Sequence, residues 1–414
     1  MHCHSFSFHH QNRISSQGIS RKAADHSAAF FISINKIVRT FHEHLLEETK
    51  RMNGHLRHFE DLPLYVTEEH VISFLRSLLD VSRLQITIKV DSAPSTFAGI
   101  DPQDGQFFVA KKSLFNKEPI LYKAKQDIYS DVDGDLAKKL LWALVYLKEL
   151  KIKKNILQGD LLYTRDMIKK EDILGRLRIT FQGNTLIYAA DPASRIARDI
   201  QKSKIGIGLH TFYSGPSVQS LRVRFSVPKG SFTPSWKVWT PNLRVDISDS
   251  QFPRDIIKKC IMLIEGSQGT VSRISASKVG AAIEKYHNSL VRDGNITQNS
   301  HKYNEDLKQY PEFAKYASGV SDNDLQRLFE IRNLMRDIKD EIISSLKDSG
   351  KSALSDLEVY VRKKDGTLIE TDHEGYVVVA QGMEPIKFVH RLGFSRYNFD
   401  DENMTRGWEK KSRQ

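Results

Sequence analysis

The feature that most constrains the fold is a block of helical sequence, residues 251–349, between two regions of strand-like sequence. In this block, apolar residues recur at helical spacing, and Ser321 with Asp324 resembles a capping pair that opens a long helix. Strand patterns dominate on both sides, at about 84–227 and 357–398. A β-rich unit interrupted by a helical block predicts an α+β fold.

The flanking regions contain more specific signals. Thr67 can cap a helix that runs to Leu79. Residues 84–89 alternate between apolar and polar side chains, so Lys89 is expected to end a strand on its polar face. Helical spacing over 135–150 predicts a further helix. We expect the remaining strands at about 106–110, 155–163, 177–181, 185–190, 204–213, 221–227, 357–362, 367–370, 375–380, 385–389 and 394–398.

The N-terminal segment differs in composition from the rest of the chain. Residues 1–30 are rich in His, Ser and Gln and lack hydrophobic periodicity, which favours a disordered leader. A helical pattern at 34–48 indicates an appended amphipathic arm. The sequence thus predicts three parts: a leader and arm over 1–50, a core formed by 51–250 and 350–414, and a helical insertion over 251–349.

The charge balance points to a class of partner. The chain carries a net charge of +11, and a basic surface gathers polyanions such as nucleic acid or nucleotide phosphates. The alternative is that the charge only keeps the protein in solution. No apolar run is long enough to span a bilayer, so a membrane partner is not expected. Cys3 and Cys260 are the only cysteines, so we expect no disulfide framework and a reducing compartment, the cytoplasm.

Several residues that could handle a nucleotide stand at the ends of predicted strands. An amine and a carboxylate stand two residues apart at Lys89 and Asp91, before a Ser-Ala-Pro turn. Glycine beside a carboxylate at Gly159–Asp160 would let backbone approach a ligand closely. The further candidates are Lys111 and Lys112 at a strand end, Tyr188 within a strand, Glu374 at the start of a strand, and Lys387 in the strand after it.

Taken in their order along the chain, the motifs that contain these residues resemble those of the covalent nucleotidyltransferase superfamily. This superfamily comprises ATP-dependent DNA ligases, RNA ligases and capping enzymes. The resemblance covers residues 84–250 and 350–400. The chain also resembles an uncharacterised family of tailed-phage proteins. The matching segments are Lys89-Val-Asp-Ser92 with the nucleophile motif Lys-x-Asp-Gly, 105–113 with the strand that ends in a basic pair, 157–161 with the Gly-Glu motif, 186–191 with the aromatic strand, 374–378 with Glu-Gly-Val-Val, and 386–389 with the closing Lys-x-Lys.

This resemblance implies an antiparallel nucleotidyltransferase core, similar to a ligase adenylation domain, that uses ATP and Mg²⁺. Lys89 would attack the α-phosphate of ATP, and Lys387 would neutralise charge on that phosphate. Glu374 would hold Mg²⁺. Nucleotide contacts would come from Asp91, Lys111, Lys112, Asp160 and Tyr188, with Asp160 at the ribose and Tyr188 stacked on adenine. Nucleic acid, RNA or DNA, is the implied partner, in a host cytoplasm or a virion.

The sequence also departs from the superfamily pattern, which leaves other functions open. Ser92 replaces a glycine, Asp160 is one methylene shorter than the usual Glu, and Val389 replaces the second lysine of the closing motif. The first alternative is a catalytically degenerate phage protein that binds nucleotide or nucleic acid. The second is an interaction protein whose function resides in the helical block 251–349.

A closer literal match to Lys-x-Asp-Gly occurs at 363–366. Its Asp-Gly pair lies between two predicted strands, which is typical of a hairpin turn. It also follows the Gly-Asp motif, which is the wrong order for the nucleophile motif of the superfamily. The sequence therefore favours Lys89 over Lys363 as the nucleophile.

Overall fold

The computed structural model describes residues 56–277, 279–296, 299–309, 320–395, 397 and 404–407. The leader and arm predicted over 1–50 lie outside these residues. The described helices are α1 (Glu68–Leu78), α2 (Lys125–Asp131), α3 (Gly134–Tyr146), α4 (Arg195–Lys202), α5 (Arg254–Glu265), α6 (Thr270–Ser275), α7 (Val279–Arg292), α8 (Ser300–Gln309) and α9 (Asp322–Ser349).

Strands come from both sides of the helical block. They are β1 (Arg57–His58), β2 (Leu84–Lys89), β3 (Ser95–Ile100), β4 (Phe107–Ala110), β5 (Ile156–Thr164), β6 (Lys169–Ile173), β7 (Arg176–Gln182), β8 (Leu186–Ala190), β9 (Ile205–Ser214), β10 (Arg222–Arg224), β11 (Val238–Trp239), β12 (Glu358–Arg362), β13 (Leu368–Glu370), β14 (Gly375–Ala380) and β15 (Ile386–Phe388).

These strands form three sheets. Sheet I has the order β1-β15-β14-β2, sheet II has the order β10-β9-β5-β3-β4 with β11 beside β9, and sheet III has the order β13-β12-β8-β7-β6. The pairs are antiparallel except β1 with β15 and β11 with β9. Helices and mainly antiparallel sheets segregate along the chain, so the α+β class predicted from the sequence is confirmed.

The chain returns to its first half after the helical block. Strand β14 pairs with β2, and β12 pairs with β8. The helical block does not stand apart from these sheets, because Ile257 of α5 and Ile331 of α9 share one hydrophobic core with Ile86 of β2 and Val378 of β14. The helices therefore cover one face of sheet I, while the opposite face carries Lys89.

Most predicted elements are present in the structure. Thr67 and Ser321 accept hydrogen bonds from the backbone N–H groups of His70 and Asp324, so both predicted N-caps are confirmed. The literal Lys-x-Asp-Gly match at 363–366 is the predicted hairpin turn between β12 and β13, with Gly366 at φ +89°.

Other elements differ from the predictions. The strand expected at 394–398 is wrong for Phe394 and Ser395, which lie in a π-helical turn over Arg391–Ser395. The buried Arg391 side chain contacts the carboxylates of Glu60 and Asp61, which holds the chain in this turn. None of the helices in the described ranges is long and apolar enough to cross a membrane.

Candidate functional site

Lys89 ends β2 next to the first residue of β14. Its Nζ lies 2.5 Å from Oε1 of Glu374, and the side chains are 24% and 9% exposed. The register aligns Lys89 with Gly375, which places Glu374 at the same end of sheet I. An amine from the chain before the helical block and a buried carboxylate from the chain after it are therefore in contact here.

Gly375 is required for this meeting. Its φ is +139°, and a Cβ at this position would lie 2.3 Å from the carbonyl oxygen of Phe388. Only glycine adopts this conformation readily and also admits the neighbouring backbone at such close range. The glycine that follows Glu374 therefore sets how closely β14 approaches β15 beside the carboxylate.

Asp91 follows β2 and is almost fully buried. Its carboxylate accepts hydrogen bonds from the backbone N–H groups of Thr185 and Leu186 at 2.6 and 2.7 Å, and from Nδ2 of Asn184 at 2.8 Å. Burial raises the pKa of Asp91 despite these donors. Because its oxygens accept from the chain itself, Asp91 joins the end of β2 to sheet III.

Asp160 enters the site from sheet II. It is aligned with Ser95 of β3 and Gly208 of β9, and its Oδ2 lies 3.5 Å from Nε2 of His210. Burial opposes ionisation of Asp160, but His210 and then Lys89 outweigh it and lower the pKa of this carboxyl. Asp160 is therefore an anion that faces both His210 and Lys89.

His210 is a site residue that the sequence analysis missed. It lies within the mostly apolar strand β9, and a lone histidine in such a strand usually belongs to the fold rather than to a site. The register aligns Gln158 with Thr211 and Gly159 with Leu209, so His210 is the extra residue of β9 at this point. The sequence pattern does not reveal this bulge in β9, and the bulge is what places His210 beside Asp160.

Lys387 lies on the same face of sheet I as Lys89. It is aligned with Val377 of β14, which is itself aligned with Thr87 of β2, two residues before Lys89. Burial first, and then the charge of Lys89, lower the pKa of Lys387 to about 8. The two lysines thus contribute neighbouring positive charges to one site.

The charges of Lys89 and Glu374 depend on each other. Burial alone would lower the pKa of Lys89, but Glu374, then Asp160 and Asp91, outweigh it and raise this pKa above its usual value. Burial is also the largest influence on Glu374, and it raises the pKa of this carboxyl to about 7 in spite of Lys89. In the structure as it stands, Lys89 is an ammonium group.

Tyr188 borders the cluster from the core, whereas Lys111 and Lys112 lie apart from it. Tyr188 is 1% exposed, its ring stacks on Phe181 at 5.1 Å, and its hydroxyl accepts a hydrogen bond from the backbone N–H of Asp91. Lys111 pairs with Asp131 at 2.7 Å, and Lys112 begins a short 3₁₀ segment. In this conformation Tyr188 supports Asp91 from the core and presents no open face on which a base could stack.

The donor set fits a nucleotide better than a metal ion alone. Among the described residues, no group of three or more His, Cys, Asp or Glu side chains is arranged to hold a metal ion. Mg²⁺ is often held by one or two carboxylates together with substrate phosphates, so Glu374 beside two lysines fits that mode. Within the described residues, the hydroxyl of Ser92 is buried without a hydrogen-bond partner, next to Asp91. It is a polar group that a ligand could satisfy.

Comparison with known proteins gives a family. A protein-family model matches residues 53–403, and its description is a family of unknown function, DUF6267. The chain belongs to this family. The match includes Lys89, Asp160, Glu374 and Lys387 and the strands that position them. No curated protein and no solved structure matches the chain.

Proposed function

We propose that this member of the DUF6267 family is an ATP-dependent nucleotidyltransferase of the ligase type, with Lys89 as the nucleophile. One observation carries the proposal: Lys89 contacts Glu374 at 2.5 Å, at the end of the face of sheet I that also carries Lys387, although the three residues are far apart in the sequence. The charge of Asp160, from sheet II, also acts on Lys89. The proposed substrates are ATP with Mg²⁺ and, as acceptor of the nucleotide, the end of a nucleic acid. The net charge of +11 suits such an acceptor.

The reaction requires Lys89 to change its protonation state. An ammonium group cannot attack phosphorus, and the contact with Glu374 raises the pKa of Lys89. Lys89 therefore becomes nucleophilic only when Glu374 turns from it to another cation. Mg²⁺, held by Glu374 and the phosphates of ATP, would supply positive charge against the departing pyrophosphate.

In the proposed step, a bond forms between Nζ of Lys89 and the α-phosphorus while the bond from that phosphorus to the bridging oxygen breaks. The electron pair of the broken bond leaves with pyrophosphate, and Lys89 loses one proton before attack and a second after it, both to solvent. The product is a lysyl-AMP phosphoramidate. Lys387, on the same face of sheet I, would place a positive charge near the α-phosphate as negative charge builds there.

The test is covalent labelling with ATP that carries a radioactive α-phosphate, in the presence of Mg²⁺, followed by denaturing electrophoresis. The wild type is expected to retain label, and Lys89→Arg is expected to lose it, because arginine keeps the charge but is not a nucleophile. Lys363→Arg is the matched control, since Lys363 belongs to the literal Lys-x-Asp-Gly match in a hairpin turn. An unlabelled wild type, or label that survives Lys89→Arg, would refute the proposal.

A second function is favoured by the ion pair itself. The 2.5 Å contact with Glu374 holds Lys89 protonated, as expected in a protein that binds a nucleotide without reacting with it. Val389, in place of the superfamily's second lysine, removes one phosphate contact. This alternative predicts calorimetric binding of ATP that Lys387→Met weakens, without any covalent label. Labelled protein in the experiment above would exclude it.

A further inference from the structure

Trp236 is an unusually exposed aromatic side chain. It is 68% exposed, the largest value among the exposed large hydrophobic residues described. It occupies the tip of a turn closed by a hydrogen bond of 3.0 Å from the N–H of Val238 to the carbonyl of Ser235. Nζ of Lys237 lies 5.9 Å from the centre of the ring, and most of the indole remains open to solvent.

The loop that presents Trp236, residues 228–237, is anchored at several points; we call it the basic loop. The N–H of Thr233 donates to the carbonyl of Leu150 at 2.7 Å, and the N–H of Lys204 donates to the carbonyl of Lys237 at 2.7 Å. Phe232 packs against the hydrophobic core under sheet II. Trp236 is therefore exposed even though the loop that carries it is well anchored to the rest of the protein.

The segments that anchor the basic loop are rich in lysine. The basic loop and the two segments that hold it, 148–154 and 202–204, contain eight lysines and one acidic residue, Glu149. These 20 residues thus carry +7 of the chain's net +11. Glu149 pairs with Lys237 at 2.7 Å. We call these lysines the lysine surface: Lys148, Lys151, Lys153, Lys154, Lys202, Lys204, Lys229 and Lys237.

We infer that Trp236 and the lysine surface bind single-stranded nucleic acid. Lysines attract the phosphate backbone, and an exposed indole gives an unpaired base a face on which to stack. A duplex would leave the indole without a partner, because its bases already stack on one another. A lipid surface would call for several exposed apolar side chains around Trp236, whereas the neighbouring segments present lysines.

This surface lies away from the nucleotide site. The basic loop packs, through Phe232, on the cluster that holds Leu157 and Leu161 of β5. Asp160 alternates to the opposite face of that strand. Naming the nucleic acid as the acceptor in nucleotidyl transfer rests on the proposed function, but binding at Trp236 needs no ATP and can be measured separately.

The test uses fluorescence anisotropy of a labelled 20-nucleotide thymidine strand, with the full chain and no ATP. Trp236→Ala is expected to weaken binding roughly 10-fold, through the loss of one stacked base, and Trp236→Phe is expected to restore most of it. Lys153→Gln combined with Lys154→Gln should reduce the slope of log affinity against log salt by about 1.4, or about 0.7 for each phosphate contact.

Tyr129 provides the matched control. It is also an exposed aromatic, at 51%, and Nζ of Lys125 lies 5.4 Å from its ring, but its helix also carries Asp127 and Asp131. Tyr129→Ala should leave affinity unchanged. The inference is overturned if Trp236→Ala binds as tightly as the wild type, if Tyr129→Ala weakens binding equally, or if a duplex of the same length binds more tightly. Covalent labelling with ATP, run on Trp236→Ala in parallel, distinguishes the two proposals, since it should be unaffected.

Discussion

Replacing Glu374 by Gln tests the electrostatic account of the site through the stability of the protein. Burial raises the pKa of Glu374 to about 7 from an ordinary value of 4.5. A group whose pKa is higher in the folded state contributes stability that is complete below the unfolded pKa and is lost as pH rises through the folded pKa. Ionisation of Glu374 therefore lowers the stability of the wild type as pH rises to neutral, and Gln removes this pH dependence, whatever constant loss follows from leaving Lys89 without its partner.

The size of the effect follows from the shift. At about 1.4 kcal/mol for each pKa unit, the free energy of unfolding of Glu374→Gln minus that of the wild type should increase by about 3 kcal/mol between pH 4.5 and 7.5. The variant therefore becomes more stable relative to the wild type as pH rises. The difference between the two proteins removes the contributions of groups that Glu374 does not influence; Lys89 and Lys387 respond to the loss of Glu374 and belong to the measured effect.

The assay is urea unfolding followed by circular dichroism at several pH values, on the wild type and the variant. Glu358→Gln is the matched control, because Arg178 pairs with Glu358 at 2.9 Å and lowers its pKa. Glu358→Gln should lose stability, and its difference from the wild type should stay level above pH 5.5. The reasoning is refuted if the difference for Glu374→Gln is level or falls across the same window.

Three further predictions concern the same site. Gly375→Ala should lower the free energy of unfolding by about 3 kcal/mol or more, because the added Cβ would meet the carbonyl of Phe388. The control is Gly366→Ala, which is also at positive φ but in open space and should lower this free energy by about 1 kcal/mol. Thermal melts measure both. Asp91→Asn should lower it by about 1–3 kcal/mol, since an amide cannot accept from both backbone N–H groups and Asn184; a variant as stable as the wild type in urea would count against this network. The single-turnover rate of labelling should rise with pH, because Lys89 must lose a proton before it attacks; a rate that stays level from about pH 6 to 9 would contradict this.

Much of the fold could be predicted from local pattern, because the pattern reflects which face of an element is buried. Alternation over β2 correctly placed Lys89 on the half-buried face. Strand β3 was missed for the same reason: Thr96 to Gly99 are buried on both faces, so the segment shows no alternation. Helix α4 was missed as well. It is only eight residues long, and a single capping serine, Ser194, was its main signal.

The site was less accessible to sequence reasoning because it depends on pairing between distant strands. The contact between Lys89 and Glu374 follows from the alignment of β2 with β14, and sequence alone does not fix strand register. Motif order brought these residues together as candidates. It could not reveal His210, whose contact with Asp160 depends on a bulge in β9, nor that Tyr188 lies in a strand buried along its whole length.

The arrangement of buried charges indicates what the helical block does for the site. Arg391, four residues after Lys387, contacts the carboxylates of Glu60 and Asp61. Helix α9 supplies two more cations to the same carboxylates, with Lys339 at 2.9 Å from Glu60 and Arg332 at 2.6 Å from Asp61. Buried ion pairs of this kind strongly resist the loss of one partner, because the other charge would remain buried and unpaired. Helix α9 therefore fixes the chain just beyond β15, and the helical block serves the position of Lys387 in addition to any interaction of its own.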